Sequence, residues 1–337
     1  MKKIISITVV IFAFVSCGTT IKSQDGEPEI LGKDGAAITE SAIKKSMQFL
    51  ASDDLNGRAT GTEGIEKAAV FIETYLKDNG IKPYFETYRD PFEFINERAA
   101  KPGEIAMPIQ GFNVVGVIEG NDPVLKNEYI ILGGHYDHIG QAKEVNGDTI
   151  ANGANDDASG TIAAMELGRY FANTKTNKRS ILITLYAAEE MGLKGSSHLA
   201  ERLKNEGINA YTMINFEMIG VPRAEGKPLA YMSGYNRSNF APTLNTFAEE
   251  EIIGFFDKAQ DMNLFFRSDN YPFFKALSIP AHAISTFDFT NFDYYHHVDD
   301  EADQMDYKHM ANFLNKMIPA LEGMMNTPTK DVKLNEE

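Results

Sequence analysis

The chain has 337 residues, of which 43% are hydrophobic and 24% charged, enough for one large α/β domain or two ordinary ones built around a substantial core, and too apolar for a disordered chain. With 32 basic against 48 acidic side chains the net charge is −16 at pH 7; such a surface repels phosphate backbones, so nucleic acid is not an expected partner. A single cysteine, Cys17, excludes an internal disulfide framework, a Cys-rich zinc finger and an iron–sulfur cluster, and there is no tryptophan.

Lys2 and Lys3 precede an apolar run over residues 4–15, too short to cross a bilayer but right for the core of a signal peptide spanning residues 1–16. Small Ser16 before Cys17 resembles a bacterial lipoprotein signal, with Phe14 where leucine is usual. The resemblance implies that Cys17 is lipidated, so the expectation is an exported protein held to a lipid bilayer, facing the periplasm or the cell exterior. Residues 17–37 are polar and Gly-rich and read as a flexible tether.

Thr39 is a predicted N-cap for a helix carrying Ile43, Met47 and Leu50 on one face, and residues 62–79 repeat the pattern with Ile65, Ala69, Ile72 and Leu76 before Gly80. Apolar runs at 112–118, 129–134, 180–188, 211–218, 229–233 and 279–285 read as strands, most of them buried on both faces. Helical stretches lie at 159–173, 196–205, 240–251 and 307–325, and Pro319 predicts a kink or early stop in the last. The alternation predicts an α/β three-layer sandwich, with a mostly parallel central sheet and helices on both faces. With no Pro/Gly-rich linker or repeat inside it, residues 38–326 read as one domain, followed by a polar tail at 327–337.

Ligands of open α/β sheets bind beyond the carboxyl ends of the strands. Metal-capable residues follow the apolar runs there: His135, Asp137 and His138; Glu189 and Glu190; Glu217; and Asp156-Asp157, which lead into the helix near Ser159. His296, His297 and several aspartates lie past the last strand. Each alone reads as a solvated or hydrogen-bonded loop residue. Together, carboxylates gathered at neighbouring strand ends would destabilise the fold unless a cation compensates them. Two imidazoles and three carboxylates without a thiolate suit zinc or a similar divalent ion with open positions. HExxH, GxSxG and GxGxxG motifs are all absent.

The segments GGHYDHIG, GANDDASG, LYAAEEMGLKGS, INFEMIG and YYHHVDDEADQMDY resemble the five blocks of the M28 aminopeptidase family of dizinc exopeptidases. The likeness extends over residues 45–325, including DDLNGRATGTEG and RSDNYPFFKALSIPA. It implies the zinc-exopeptidase fold, two Zn2+ or similar ions, and a peptide as substrate. His135 and Glu217 would hold one ion, Glu190 and His296 the other, and Asp156 would bridge both. Asp137 would orient the His135 imidazole, and Glu189 would be the general base for a water activated by the two ions. The Asp156-Asp157 peptide is expected to be cis. Glu217 stands where the family commonly has Asp, and Asn270 where it often has His. Ser268, Asp269 and Tyr295 are candidate substrate contacts, whereas His138 and His297 read as bystanders.

The implied activity is removal of N-terminal residues from peptides, with the aromatic stretch 287–295 as an apolar wall of the specificity pocket. A carboxypeptidase or dipeptidase of related fold would need a basic cluster, for which Lys194, Arg223 and Arg267 are the candidates near a motif. A glutaminyl-cyclase-like enzyme would use one zinc and an indole-lined pocket, against which the lack of Trp argues. A catalytically silent binding module would be free to lose the ligands that are all present here.

Overall fold

β-Branched and long aliphatic side chains fill the central strands because both faces of those strands are covered. A computed structural model describes residues 33–96 and 107–336. In chain order its strands are β1 (Lys82–Pro83), β2 (Arg89–Ile95), β3 (Pro108–Ile118), β4 (Tyr129–His135), β5 (Gly140–Val145), β6 (Asp148–Ala151), β7 (Ser180–Tyr186), β8 (Ala210–Glu217), β9 (Ala230–Met232), β10 (Ile253–Gly254) and β11 (Ala281–Ser285). Nine of them form one sheet in the order β1-β3-β7-β4-β8-β11-β9-β10, with β2 also on β3.

The four central strands β7, β4, β8 and β11 are parallel, as predicted. The flanks are not. β3 pairs antiparallel with β7, β1 and β2, and β9 pairs antiparallel with β11. The sheet is therefore mixed, with antiparallel pairs flanking the parallel centre: β3 and β2 extend it as a hairpin, which needs no crossover helix.

Along β4 the period of two sends Ile130 and Leu132 into one core and Ile131 into the other. The first core lies under helix Ser159–Thr174, which packs on β4, β7 and β8 and is flanked by helices Glu40–Leu50, Glu63–Asp78 and Tyr307–Asn326. The second lies under helices Lys194–Asn205 and Asn270–Leu277. Thr39 caps its helix as expected, its hydroxyl accepting from the Ala42 N–H.

Pro319 does not end the last helix, which runs unbroken from Tyr307 to Asn326. Ile318, Ala320, Leu321 and Met324 are buried around the proline, and the helix packs against helix Phe240–Ala248. The predicted signal peptide, Cys17 and the predicted tether as far as residue 32 lie outside the described residues. Lys33–Ala36 form a helical turn with Ala36 and Ile38 buried, so the folded domain begins a few residues before 38. The polar tail is pinned to the domain. Val332 is buried and donates its N–H to the Tyr211 hydroxyl, while Leu334 bridges to Ser238. No helix among the described residues is long and apolar enough to cross a membrane.

Candidate metal centre

β4 ends on His135, β8 on Glu217, and the turn after β7 carries Glu189 and Glu190, so three neighbouring strands deliver their polar termini to one edge of the sheet. Asp156 reaches the same place from the start of helix Ser159–Thr174. That helix comes against the sheet only because Gly134 and Gly160 meet there: a Cβ on Gly134 would lie 2.7 Å from the Gly160 carbonyl carbon, and one on Gly160 only 2.2 Å from the Phe216 oxygen. The Asp156-Asp157 peptide is cis, as expected.

The two Asp156 oxygens face opposite ways. Oδ1 lies 3.3 Å from His135 Nε2, which is 3.4 Å from Glu217 Oε1. Oδ2 lies 3.3 Å from His296 Nε2, which is 3.1 Å from Glu190 Oε2. The five predicted ligands thus converge as two groups sharing one carboxylate. His138 joins them, against expectation, with its Nδ1 2.9 Å from Glu190 Oε1 and 3.9 Å from Asp156 Oδ2. Its place in HYDH, three residues after His135, was the available signal. His297 instead pairs with Asp299 on the half-exposed loop.

The surrounding side chains divide the work differently from the prediction. Asp137 receives the His135 Nδ1–H on its backbone oxygen, at 3.1 Å, while its carboxylate stands 3.6 Å from that nitrogen. The carboxylate accepts the Glu189 N–H at 3.1 Å, and Thr60 accepts the adjoining Ala188 N–H at 2.8 Å. Asp137 therefore holds the turn bearing Glu189 and orients His135 through its main chain. Asp157 is held by main-chain amides, its Oδ1 accepting from Gly160 at the helix start and from Met218, at 3.1 and 2.9 Å.

Glu217 spends its extra methylene on a division of labour. Oε1 faces His135, and Oε2 accepts from Ser268 at 2.6 Å and from Asn215 at 3.2 Å. Ser268, predicted to touch substrate, thus anchors Glu217 while also lining the adjoining cavity. Asp269 does not line that cavity: it is fully buried, and neither carboxylate oxygen has a hydrogen-bond partner. Asn270 is likewise buried, donating to the Phe265 and Ala281 carbonyls.

Two further residues were not found from the sequence. Asp300 accepts the N–H groups of Asn155 and Asp156, at 2.7 and 3.0 Å. Arg58, buried, donates to the carbonyls of Tyr136 and Gly153 at 2.9 Å, and also to those of Leu50 and Asn152. Both act through the backbone of loops far away in the chain, and no spacing rule reveals such contacts.

Burial would raise the Asp156 carboxyl, but His135, His296 and His138 around it hold it well below the usual carboxylate range. Burial would depress His296, yet Asp156 and Glu190 raise it to about 10. Glu189 is raised well above the usual range, first by burial and then by Asp269, Glu217 and Glu190. Asp269 is pushed up to about 7, chiefly by burial.

The donor set fits two divalent cations. His138 Nε2 is buried without a hydrogen-bond partner, and His135 Nε2, His138 Nδ1 and Glu190 Oε1 are buried close to other atoms of the two groups but not aligned as hydrogen bonds, a costly state for polar atoms. Ligand atoms around a tetrahedral zinc sit about 3.3–3.6 Å apart, close to the 3.1–3.4 Å separations within each group. The donor atoms of His135, Asp156 and Glu217 all lie within 4.8 Å of one another, as do those of His138, Asp156 and Glu190. Beside Glu217 opens a cavity of about 340 Å3, walled by Tyr231, Phe287, Phe289 and Tyr295, with Arg267 among its lining.

The sequence profile of Peptidase family M28 matches residues 113–321. The chain belongs to this family. As an M28 zinc peptidase fold it presents two ligand groups placed for the two zinc ions that such peptidases use. Among curated relatives it is 33% identical, over 202 residues, to a Pyrenophora teres f. teres protein named "Probable zinc metalloprotease"; the match covers 58% of this chain and 41% of the relative. The chain spans less than half the length of the curated relatives it matches. In fold the M28 chain is similar to the LapA aminopeptidase of Legionella pneumophila, with a TM-score of 0.62 and 21% identity, covering 91% of this chain and 78% of that one. It is equally similar in fold to a glutaminyl cyclase of Fimbriiglobus ruber, with a TM-score of 0.63 and 17% identity, covering 89% and 99%.

Proposed function

We propose that this chain is a dizinc aminopeptidase that removes apolar residues from the N-termini of peptides. The observation that carries the reading is the pair of ligand groups sharing Asp156, with Glu189 beside Glu190 but outside both. His135 and Glu217 would hold one ion, Glu190 and His296 the other, with Asp156 common to both and His138 in reach of the second. Bound there, two divalent ions lower the pKa of a shared water and polarise the scissile carbonyl.

Glu189 supplies the proton transfers. Lying beside Glu190 yet outside both ligand groups, it is placed to take a proton from such a water and pass it to the leaving amine. Asp137 and Thr60 fix the turn that presents it. Tyr295 lines the cavity next to Glu217. A phenol with its ordinary pKa of ~10 is protonated at neutral pH, so it faces the substrate as a neutral donor. The aromatic walls favour an apolar side chain on the residue to be released.

Of the three basic residues considered for carboxylate capture, Arg267 lines the cavity, whereas Arg223 is buried against Glu225 and the Pro228 carbonyl. One arginine is not a basic cluster, which favours an aminopeptidase over a carboxypeptidase. The lack of Trp argues against a cyclase. The test is a panel of free, N-blocked and C-blocked peptides assayed with and without a chelator. Cleavage of free and C-blocked peptides, lost with the metal and restored by zinc, supports the reading; cleavage of N-blocked peptides alone overturns it. Export and anchoring through lipid on Cys17 complete the proposal, checked by metabolic labelling with a fatty acid in wild type and Cys17→Ser.

A further inference from the structure

A second cavity, of about 230 Å3, lies on the far side of the short segment that walls the first. Along this segment Met262 and Leu264 face the substrate cavity, while Asn263, Phe265 and Phe266 face the second. None of the candidate metal ligands lines it. Its remaining walls include Tyr235, Phe255, Phe256 and Arg237.

Arg237 is the unusual member. Its guanidinium carbon lies 4.4, 5.0 and 5.6 Å from the ring centroids of Phe265, Phe266 and Phe274. No carboxylate or carbonyl among the described residues accepts from its side chain, although acidic groups outnumber basic ones 48 to 32 in the chain. Arg58, Arg89, Arg169, Arg179, Arg202 and Arg223 all have such acceptors; Arg267, on the wall of the first cavity, is the other described arginine without one. Stacking on rings occupies the faces of a guanidinium and leaves its in-plane N–H fork unspent, in the geometry that matches a carboxylate.

The rings around that fork supply apolar contact, and Asn236, Gln260 and Asn263 supply amides at the rim. The volume suits a ligand the size of a single residue rather than a large cofactor. We propose that this cavity is a second binding site, for a small aromatic carboxylate whose acid group is forked by Arg237 and whose ring packs among the phenylalanines. The inference rests on neither bound metal nor peptidase activity.

Calorimetric titration of the metal-loaded full chain tests it, with N-acetylphenylalanine as probe and N-acetylphenylalaninamide as the control lacking the charge. The acid should bind saturably at one site in the millimolar range, and the amide at least about tenfold more weakly. Arg237→Gln should weaken the acid by about tenfold or more. Gln260→Phe, at an exposed position on the rim, should block the cavity while leaving Arg237 in place. The proposal is overturned by absence of saturable binding, by equal binding of acid and amide, or by wild-type binding in Gln260→Phe, which would put the ligand at the metal centre. Should Arg237→Gln fail to fold, Gln260→Phe and the amide control decide the matter.

Discussion

Ser268 donates its hydroxyl proton to Glu217 Oε2 across 2.6 Å, and Asn215 donates to both of them, at 2.8 and 3.2 Å. This triangle fixes the carboxylate whose other oxygen faces His135. Groups that hold a metal ligand in place are typically worth about 10–100-fold in metal affinity. Ser268→Ala is therefore expected to weaken one of the two ions by about 10–100-fold and to lower kcat with it, leaving the melting temperature of the metal-free chain nearly unchanged. Competition with a chromogenic chelator measures the first effect. Unaltered affinity for both ions would show that Glu217 needs no such support.

Glu189→Gln keeps the size of the side chain and the Asp137-bound turn but removes the proposed proton carrier. General acid–base groups contribute about 10²–10⁴-fold, so kcat is expected to fall by that factor while the metal content stays at two. Loss of an ion in this variant would instead make Glu189 a ligand; unchanged turnover would remove it from the mechanism.

The candidate ligands were legible in the sequence because strand ends in an open α/β sheet are where such residues gather, and because β4, β7 and β8 are almost wholly apolar up to those ends. Asn215 carried a readable signal as well, lying two residues before Glu217 and hence on the same face of β8. Thr60, Arg58 and Asp300 lie inside segments that carry the family resemblance, but no spacing showed their roles, since each works through the backbone of a distant loop. Among the strands, β2 was missed because Pro91 and its charged residues hide a half-exposed edge. The β5–β6 hairpin was missed as well, although Asn146-Gly147, whose φ angles of 53° and 92° are those of a tight hairpin turn, was the available signal.

The shared position of Asp156 makes the two ions separable by mutation. Glu217→Gln should release the ion beside His135, His296→Ala should weaken the other, and Asp156→Asn should weaken both. Elemental analysis after dialysis against a weak chelator gives the count. Equal loss of both ions in all three variants would mean that the groups bind cooperatively as one cluster; full retention in Asp156→Asn would remove it from the bridge.

Stability should also depend on pH through a histidine remote from the metals. His282 is fully buried, its Nδ1–H directed at the Ser233 carbonyl at 2.9 Å and its Nε2 accepting from the Ser238 hydroxyl at 2.7 Å, an arrangement only the neutral ring satisfies. Burial lowers its pKa from 6.5 to about 4, with the Ser233 carbonyl opposing and Arg237 adding to the effect. The unfolded chain takes up this proton near pH 6.5 and the folded chain only near pH 4. Between those values the unfolded state binds more protons, so stability is fully present above about pH 6.5 and is lost as pH falls, by roughly 3 kcal/mol over that range. His282→Gln removes the titration while keeping a polar side chain, and urea unfolding at a series of pH values compares the two proteins. The stability gap between wild type and variant should shrink as the solution is acidified from pH 7 to pH 4; a gap that stays constant would mean that His282 is protonated in the fold or does not titrate in this range.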